Sequence, residues 1–297
     1  MPTMTRRPSS PSCRTLGLAT VAMTPNEDPI VSRAHLLGLI RRTKADYPDV
    51  RLIHFGETIL GWFNCQTRAE SIAYHSRIAE TVPGPTADDV ARLAQELDIY
   101  VSFGLTEREG DRVFNSQVLI DPNGAVIAKH RKFWMRTPYF TQGQRCATVA
   151  QVDDFRVAMV ICADTRSLWL ARHIKRARTD IVLASLADYG VDIRINRLIG
   201  CLYDAWCVVA NRYGTEPHNN WHGMITMTDR WSRVKAHGVG REQVLYYEIP
   251  LSGCGGLARG LRRFLVFWPF FYLAMGFALG ELRQLLRRSL RRRKSAG

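Results

Sequence analysis

Three side chains in this sequence have the types a nucleophile, a base and an oxyanion-binding cation require, and each stands where a strand is predicted to end. Cys162 closes the apolar run that starts at Val157 and is followed by Ala163, Asp164, Thr165 and Arg166, after which a helix is predicted. A thiol at a strand-to-helix turn is exposed beside backbone amides that favour the thiolate, which is how nucleophilic cysteines are placed. Read instead as the last member of an apolar strand, the same residue belongs to the core. Glu57 follows Leu52 to Gly56 and precedes the apolar Ile59, Leu60, Trp62 and Phe63. A carboxylate set there suits a general base, or caps a helix. Lys132 sits between Arg131 and the aromatic pair Phe133 and Trp134. In a partly dry pocket its ammonium stabilises an oxyanion; in water it is an ordinary surface lysine.

The elements that must bring these residues together can be read from periodicity. Leu16 to Thr24 alternates small and branched residues as a strand does, and Ile30 to Tyr47 spaces its apolar residues by three and four, as an amphipathic helix does. Arg51 to Phe55 is then a short buried strand. A helix carrying Val90, Leu93, Ala94 and Leu97 leads to a strand from Ile99 to Gly104. Val113 to Ile120 and Ala125 to His130 flank Asp121, Pro122, Asn123 and Gly124, a tight turn between paired strands. Beyond it the pattern predicts a strand from Phe155 to Ile161, a helix from Leu168 to Ala177 and a strand from Asp180 to Ser185. A helix near Asn196 to Trp206 and strands at Val208 to Ala210, Met224 to Thr228 and Val244 to Ile249 complete it. Alternating helices and strands followed by paired strands describe an α/β sandwich with mixed sheets. No GxGxxG follows the first strand, which argues against a doubly wound nucleotide-binding fold.

Taken together, Glu57, Lys132 and Cys162 have the order and approximate spacing of the nitrilase/amidase (carbon–nitrogen hydrolase) superfamily, and the sequence from Leu16 to Pro250 resembles that family. The resemblance is carried by HFGETILGWF around the glutamate, FNSQVLIDPNGAVIAKHRKFW with Asn115 leading to the lysine, and VAMVICADTR around the cysteine. CVVANRYG and HGMITMTDRWSRV extend it. It implies a nitrilase-like αββα four-layer sandwich, commonly a homodimer, that attacks an amide, carbamoyl or nitrile carbon without metal or organic cofactor. Glu57 would take the thiol proton and later activate water. Lys132, with the amide of Ala163, would bind the oxyanion, and Cys162 would carry the acyl group. The sequence departs from the family in three places. Gly56 stands where proline is usual, Ala163 where an aromatic is usual, and the segment after Lys132 lacks the second glutamate that positions the lysine in many members. Tyr139 is the nearest polar candidate to take the place of that acid. For substrate contacts, Arg166 is either a carboxylate binder or the partner of Asp164, and Trp134, Tyr139 and Trp169 either line a pocket or pack.

Composition places further expectations around this domain. The 297 residues carry a net charge of +14, but nine arginines and Lys294 against Glu281 lie from Arg259 onward, so the charge is concentrated in a tail. Seven cysteines without ligand spacing point to free thiols in a reducing compartment rather than to a metal site. Residues 1–14 read as a flexible arm without a convincing signal peptide, 15–252 as the hydrolase domain, and 253–297 as a membrane-associating tail. Within that tail the uncharged stretch from Phe264 to Gly280, bracketed by arginines, reads as a hydrophobic helix in the membrane, with the catalytic domain on the cytoplasmic side. Burial of this helix in an oligomer interface is the alternative. Nucleic acid is disfavoured by the aromatic block beside the basic run. The expected partners are a small or amphiphilic amide, a lipid surface and a second copy of the chain. The competing activities are N-acyl transfer by the same trio, as in apolipoprotein N-acyltransferase, and a catalytically silent scaffold.

Overall fold

Along β1 (Thr15–Met23) successive side chains point to opposite faces, and nearly all of them are buried. Leu16 and Leu18 face one core, whereas Ala19, Val21 and Met23 face another. The same division recurs in β7 (Phe155–Ile161), β8 (Ile181–Ser185) and β9 (Trp206–Glu216). There Val157, Met159, Ile181, Leu183, Trp206 and Val208 join the core of Leu16 and Leu18, and Ala158, Val160, Val182, Ala184, Cys207 and Val209 face away from it. A strand buried on both sides needs a layer on each side. The computed structural model, which describes residues 14–135, 137–189 and 202–251, supplies those layers. Helices α1 (Pro29–Asp46) and α3 (Pro85–Leu97) cover one sheet, two sheets meet face to face through the shared core, and α4 (Leu168–Arg176) covers the other.

The first sheet runs β5 (Val126–Arg131), β4 (Arg112–Ile120), β3 (Tyr100–Glu109), β2 (Leu52–His54), β1 and β13 (Gln243–Pro250). The second contains β6 (Thr148–Val152), β7, β8, β9, β11 (Ile225–Thr228) and β12 (Val234–Gly238), while β10 (Asn219–His222) extends β9. Ala22 and Met23 pair with Asn211 and Arg212, stitching the two sheets together. Strands β1, β2 and β3 are parallel, as are β7, β8 and β9; β4 reverses and β5 reverses again. Consequently β2, β5, β7 and β8 all end on the same side. The loops that follow them carry Glu57, Lys132, Cys162 and Ala187.

Most predicted elements are present within a residue or two, including the Asp121 turn, where the aspartate side chain accepts from Asn123 N at 3.0 Å and Ala125 N at 2.8 Å. Differences lie elsewhere. Helix α2 (Arg68–Ile78) was not anticipated, because the face it buries carries Ser71, Tyr74 and His75 with Ile78 as its one aliphatic residue, rather than an apolar stripe. Its start is nevertheless written in the sequence as a capping box, with Thr67 and Glu70 exchanging side-chain and backbone hydrogen bonds at 3.1 Å. The short strands β6, β10 and β12 were likewise unanticipated. Trp206 opens β9 rather than ending a helix, and most of the predicted 196–206 helix lies outside the described residues. So does the apolar 264–280 segment with its flanking arginines. Among the described residues no helix is long and apolar enough to cross a membrane.

Candidate active site

Cys162 adopts φ +44°, in the left-handed region that side chains bearing a Cβ rarely occupy, and opens a short 3₁₀ turn, Cys162–Arg166, between β7 and α4. Thr165 Oγ1 donates to Cys162 O at 2.7 Å, and the Ser167 side chain caps α4. These bonds hold the nucleophile candidate in a conformation that costs on the order of 1–3 kcal/mol, of the kind that clusters at reactive sites. Thr58, directly after Glu57, is a second residue at φ +44°.

The three candidates converge. Glu57 is fully buried, and its Oε1 accepts from Lys132 Nζ and from Asn115 Nδ2, each at 2.6 Å. Its Oε2 accepts from Ala187 N at 3.0 Å. Burial works against the charge of Lys132, but the neighbouring Cys162 and Glu57 outweigh it and hold the ammonium above the ordinary lysine range. Burial pushes the Cys162 thiol up to about 12, with Lys132 pulling it down and Glu57 and Asp188 adding to the rise. Burial is the largest of these influences, so the thiol is held above its ordinary range and calls for a base.

The glutamate is held from below by a residue the sequence reading quoted but did not single out. Arg212, fully buried in β9, donates from Nη1 to Glu57 O at 3.2 Å and to Thr58 O, and from Nη2 to Gly61 O at 2.6 Å and to Glu216 Oε1. Glu216 in turn accepts from Phe63 N at 2.9 Å. One guanidinium thus fixes the backbone of the loop that presents Glu57. Its neighbour Asn211 accepts from Asp188 N at 3.1 Å and donates to Asp188 O at 3.2 Å, fastening the loop that carries Ala187. An arginine inside an apolar strand run was the available signal, since unpaired charges are not buried there.

A family profile described as carbon-nitrogen hydrolase matches residues 17–259, which is most of the chain. The chain belongs to the carbon-nitrogen hydrolase family. The formamidase of Bacillus cereus (strain Q1) is 28% identical over 178 residues, 58% of this chain and 51% of the formamidase, so the match spans about half the length of that relative. Formamidase from Bacillus thuringiensis (strain Al Hakam) matches at the same identity and coverage. Two solved structures share the fold. Saccharomyces cerevisiae Nit3, a member of branch 10 of the nitrilase superfamily, superposes with TM-score 0.71 at 16% identity, over 80% of this chain and 91% of Nit3. A point mutant of the amidase from Nesterenkonia sp. AN1, in complex with butyramide, gives 0.66 at 17%, over 81% and 93%.

Of the three departures of this carbon-nitrogen hydrolase from its family, Gly56 sits closest against neighbouring backbone. A Cβ on Gly56 would lie 3.0 Å from the Asn211 carbonyl carbon and 3.1 Å from Leu186 O, so β9 and the 186–188 loop approach closely there and would have to give by a few tenths of an ångström to admit a side chain. The Asp164–Arg166 pair considered from sequence does not form. Asp164 turns the other way, accepting from His130 Nε2 at 3.0 Å, Phe133 N at 3.2 Å and Trp134 N at 2.6 Å, and Arg166 stays half-buried at the end of the 3₁₀ turn. Tyr139 does not replace the missing acid at Lys132. Its ring stacks on His75 with centroids 5.7 Å apart, next to Phe140 and Phe63. Trp134 is buried, and Ala163 is buried immediately after the nucleophile. Trp169 stacks on His173 at 3.8 Å.

Proposed function

We propose that this carbon-nitrogen hydrolase is an amidase-type enzyme that cleaves a non-peptide C–N bond through an acyl-Cys162 intermediate. The observation that carries the reading is the buried Lys132–Glu57 pair, 2.6 Å apart, in whose field the Cys162 thiol lies. Glu57 removes the thiol proton, the sulfur attacks the carbonyl carbon, and the oxyanion forms beside Lys132 and the amide of Ala163. Collapse breaks the C–N bond, and Glu57 returns the proton to the departing amine. Glu57 then deprotonates a water that attacks the acyl carbon; the C–S bond breaks, the acid leaves, and Glu57 passes the proton back to the Cys162 sulfur. Trp134, Tyr139 and Arg166 are assigned to the substrate side of the site. The formamidase match and the fold shared with an amidase bound to butyramide support a small amide as the first substrate to try.

Intact-protein mass after mixing with short aliphatic amides and nitriles should reveal a transient acyl adduct that disappears in water and is absent from Cys162→Ala. An adduct cleared by an added amine but stable in water would replace hydrolysis by acyl transfer. No adduct with any donor, with Cys162 inert to iodoacetamide, would leave a silent scaffold.

The family match ends at residue 259, where the basic tail begins. We read 264–280 and its arginines as a membrane-associating segment, because an uncharged, aromatic-rich stretch stands between arginines on both sides. Deleting 259–297 should move the protein from the membrane pellet to the supernatant while sparing amide turnover; persistence in the pellet would refute the assignment.

A further inference from the structure

Something must position Lys132 in a chain that lacks an acid in the segment after it, and the surroundings of Asp164 provide it. Asp164 is fully buried and lies in the 3₁₀ turn that Cys162 opens. Its carboxylate accepts three hydrogen bonds, and the donors are residues 130, 133 and 134, which bracket Lys132 on both sides. Two of them are backbone amides, so the grip is on the path of the chain rather than on one flexible side chain. The third, His130 Nε2, is buried as well, and His130 Nδ1 meets Thr148 Oγ1 at 3.1 Å, which ties the ring to β6. From the opposite side Lys132 N donates to Asn115 O at 2.8 Å, and Gly143 N donates to Lys132 O at 2.9 Å. The backbone of Lys132 is thus clamped between β4 and the nucleophile's own turn.

We propose that Asp164, steadied by His130, is the positioning carboxylate of Lys132, doing from the turn that Cys162 opens the work for which the segment directly after the lysine holds no acid. The inference rests on reading Cys162, Glu57 and Lys132 as the reacting trio. A buried carboxylate accepting two backbone amides and an imidazole is strongly oriented, and the short Trp134 N bond is of the charge-assisted type. Its charge also acts directly, since Asp164 is among the groups that favour the Lys132 ammonium. The arrangement makes the nucleophile and the oxyanion-binding cation one unit. Any shift of the Cys162 turn carries the Lys132 segment with it, which preserves their relative placement.

The test uses the full chain. Asp164→Asn keeps the shape and removes the charge, and alkylation of Cys162 by iodoacetamide is followed by peptide mass mapping between about pH 6 and about pH 10. Lys132 is the cation that draws the Cys162 proton off, opposed by Glu57 and Asp188. If Asp164 places Lys132, its loss should slow alkylation at about pH 8 by roughly tenfold and move the profile to higher pH. Amide turnover should lose kcat with little change in KM. Lys132→Ala should slow alkylation similarly, and adding Asp164→Asn to it should change nothing more, because both act through one ammonium. An unshifted profile in a folded Asp164→Asn protein, or a further loss in the double variant, overturns the proposal. Should Asp164→Asn fail to fold, His130→Gln decides: a smaller shift in the same direction supports the assignment, and an unchanged profile overturns it. A wild type that turns over no amide would defeat the proposed function, yet the alkylation comparison would still decide this point.

Discussion

Glu57→Gln should lower kcat/KM for an amide substrate by about 10²–10⁴-fold, the usual contribution of a general base, while alkylation of Cys162 quickens. The two effects separate because Glu57 acts on the thiol in two ways. As a proton acceptor it is needed, since burial holds the Cys162 thiol at about 12 and leaves very little thiolate at neutral pH. As a negative charge it opposes ionisation of that thiol, whereas Lys132 favours it. A glutamine keeps the hydrogen-bonding shape but accepts no proton, so the acyl transfer and the later attack of water both lose their base. The same change removes the counter-charge of Lys132, whose Nζ lies 2.6 Å from Glu57 Oε1, and frees that ammonium to stabilise the thiolate. Stopped-flow turnover and iodoacetamide kinetics on one preparation measure both. Turnover within about threefold of wild type would remove Glu57 from the role of base, given that a positioned acid or base ordinarily contributes far more.

How far the site could be read from sequence depended on the range of the interactions involved. Glu57, Lys132 and Cys162 were legible jointly rather than singly: each follows a predicted strand, and their order, spacing and flanking motifs resemble the family's. The hairpin before Lys132 was legible because Asp121 and Gly124 form their turn with immediate neighbours. Asp164 was misread for the same reason in reverse. Proximity in sequence suggested Arg166, but the fold brings β5 beside the nucleophile's turn, and the partners are His130, Phe133 and Trp134. Likewise α2 escaped notice because helical periodicity is sought in apolar residues, and this helix buries hydrogen-bonded polar ones. His75, its ring bonded to Phe63 O at 3.0 Å and Thr106 Oγ1 at 3.1 Å, sits among aromatics and is held by burial at about 4, so it is neutral and behaves as a core residue.

The same lesson applies to Arg212, whose removal should have the largest effect on stability. Arg212→Leu should cost about 3–5 kcal/mol, because it leaves Glu216 as a buried carboxylate without its cation. It also strips the donor from three backbone carbonyls, those of Glu57, Thr58 and Gly61. A loss of that size corresponds to a melting temperature lower by on the order of 10 °C, readable by calorimetry. The double variant Arg212→Leu, Glu216→Leu should regain part of the loss, since the unpaired charge is gone, but only part, because the carbonyls remain without donors and Phe63 N and Asn219 Nδ2 lose their acceptor. Full recovery would mean that the loop carbonyls contribute nothing and that the ion pair alone matters. Activity separates the loop from the pair in the same experiment. Thr58 is kept in the left-handed region by a bond to its carbonyl, and Glu57 is the residue immediately before it. Relaxation of Thr58 toward ordinary backbone angles would turn the Glu57 carboxylate away from Lys132 and Cys162. The double variant should therefore recover part of the stability without recovering kcat, which locates the function of Arg212 in the backbone it grips rather than in the charge it balances.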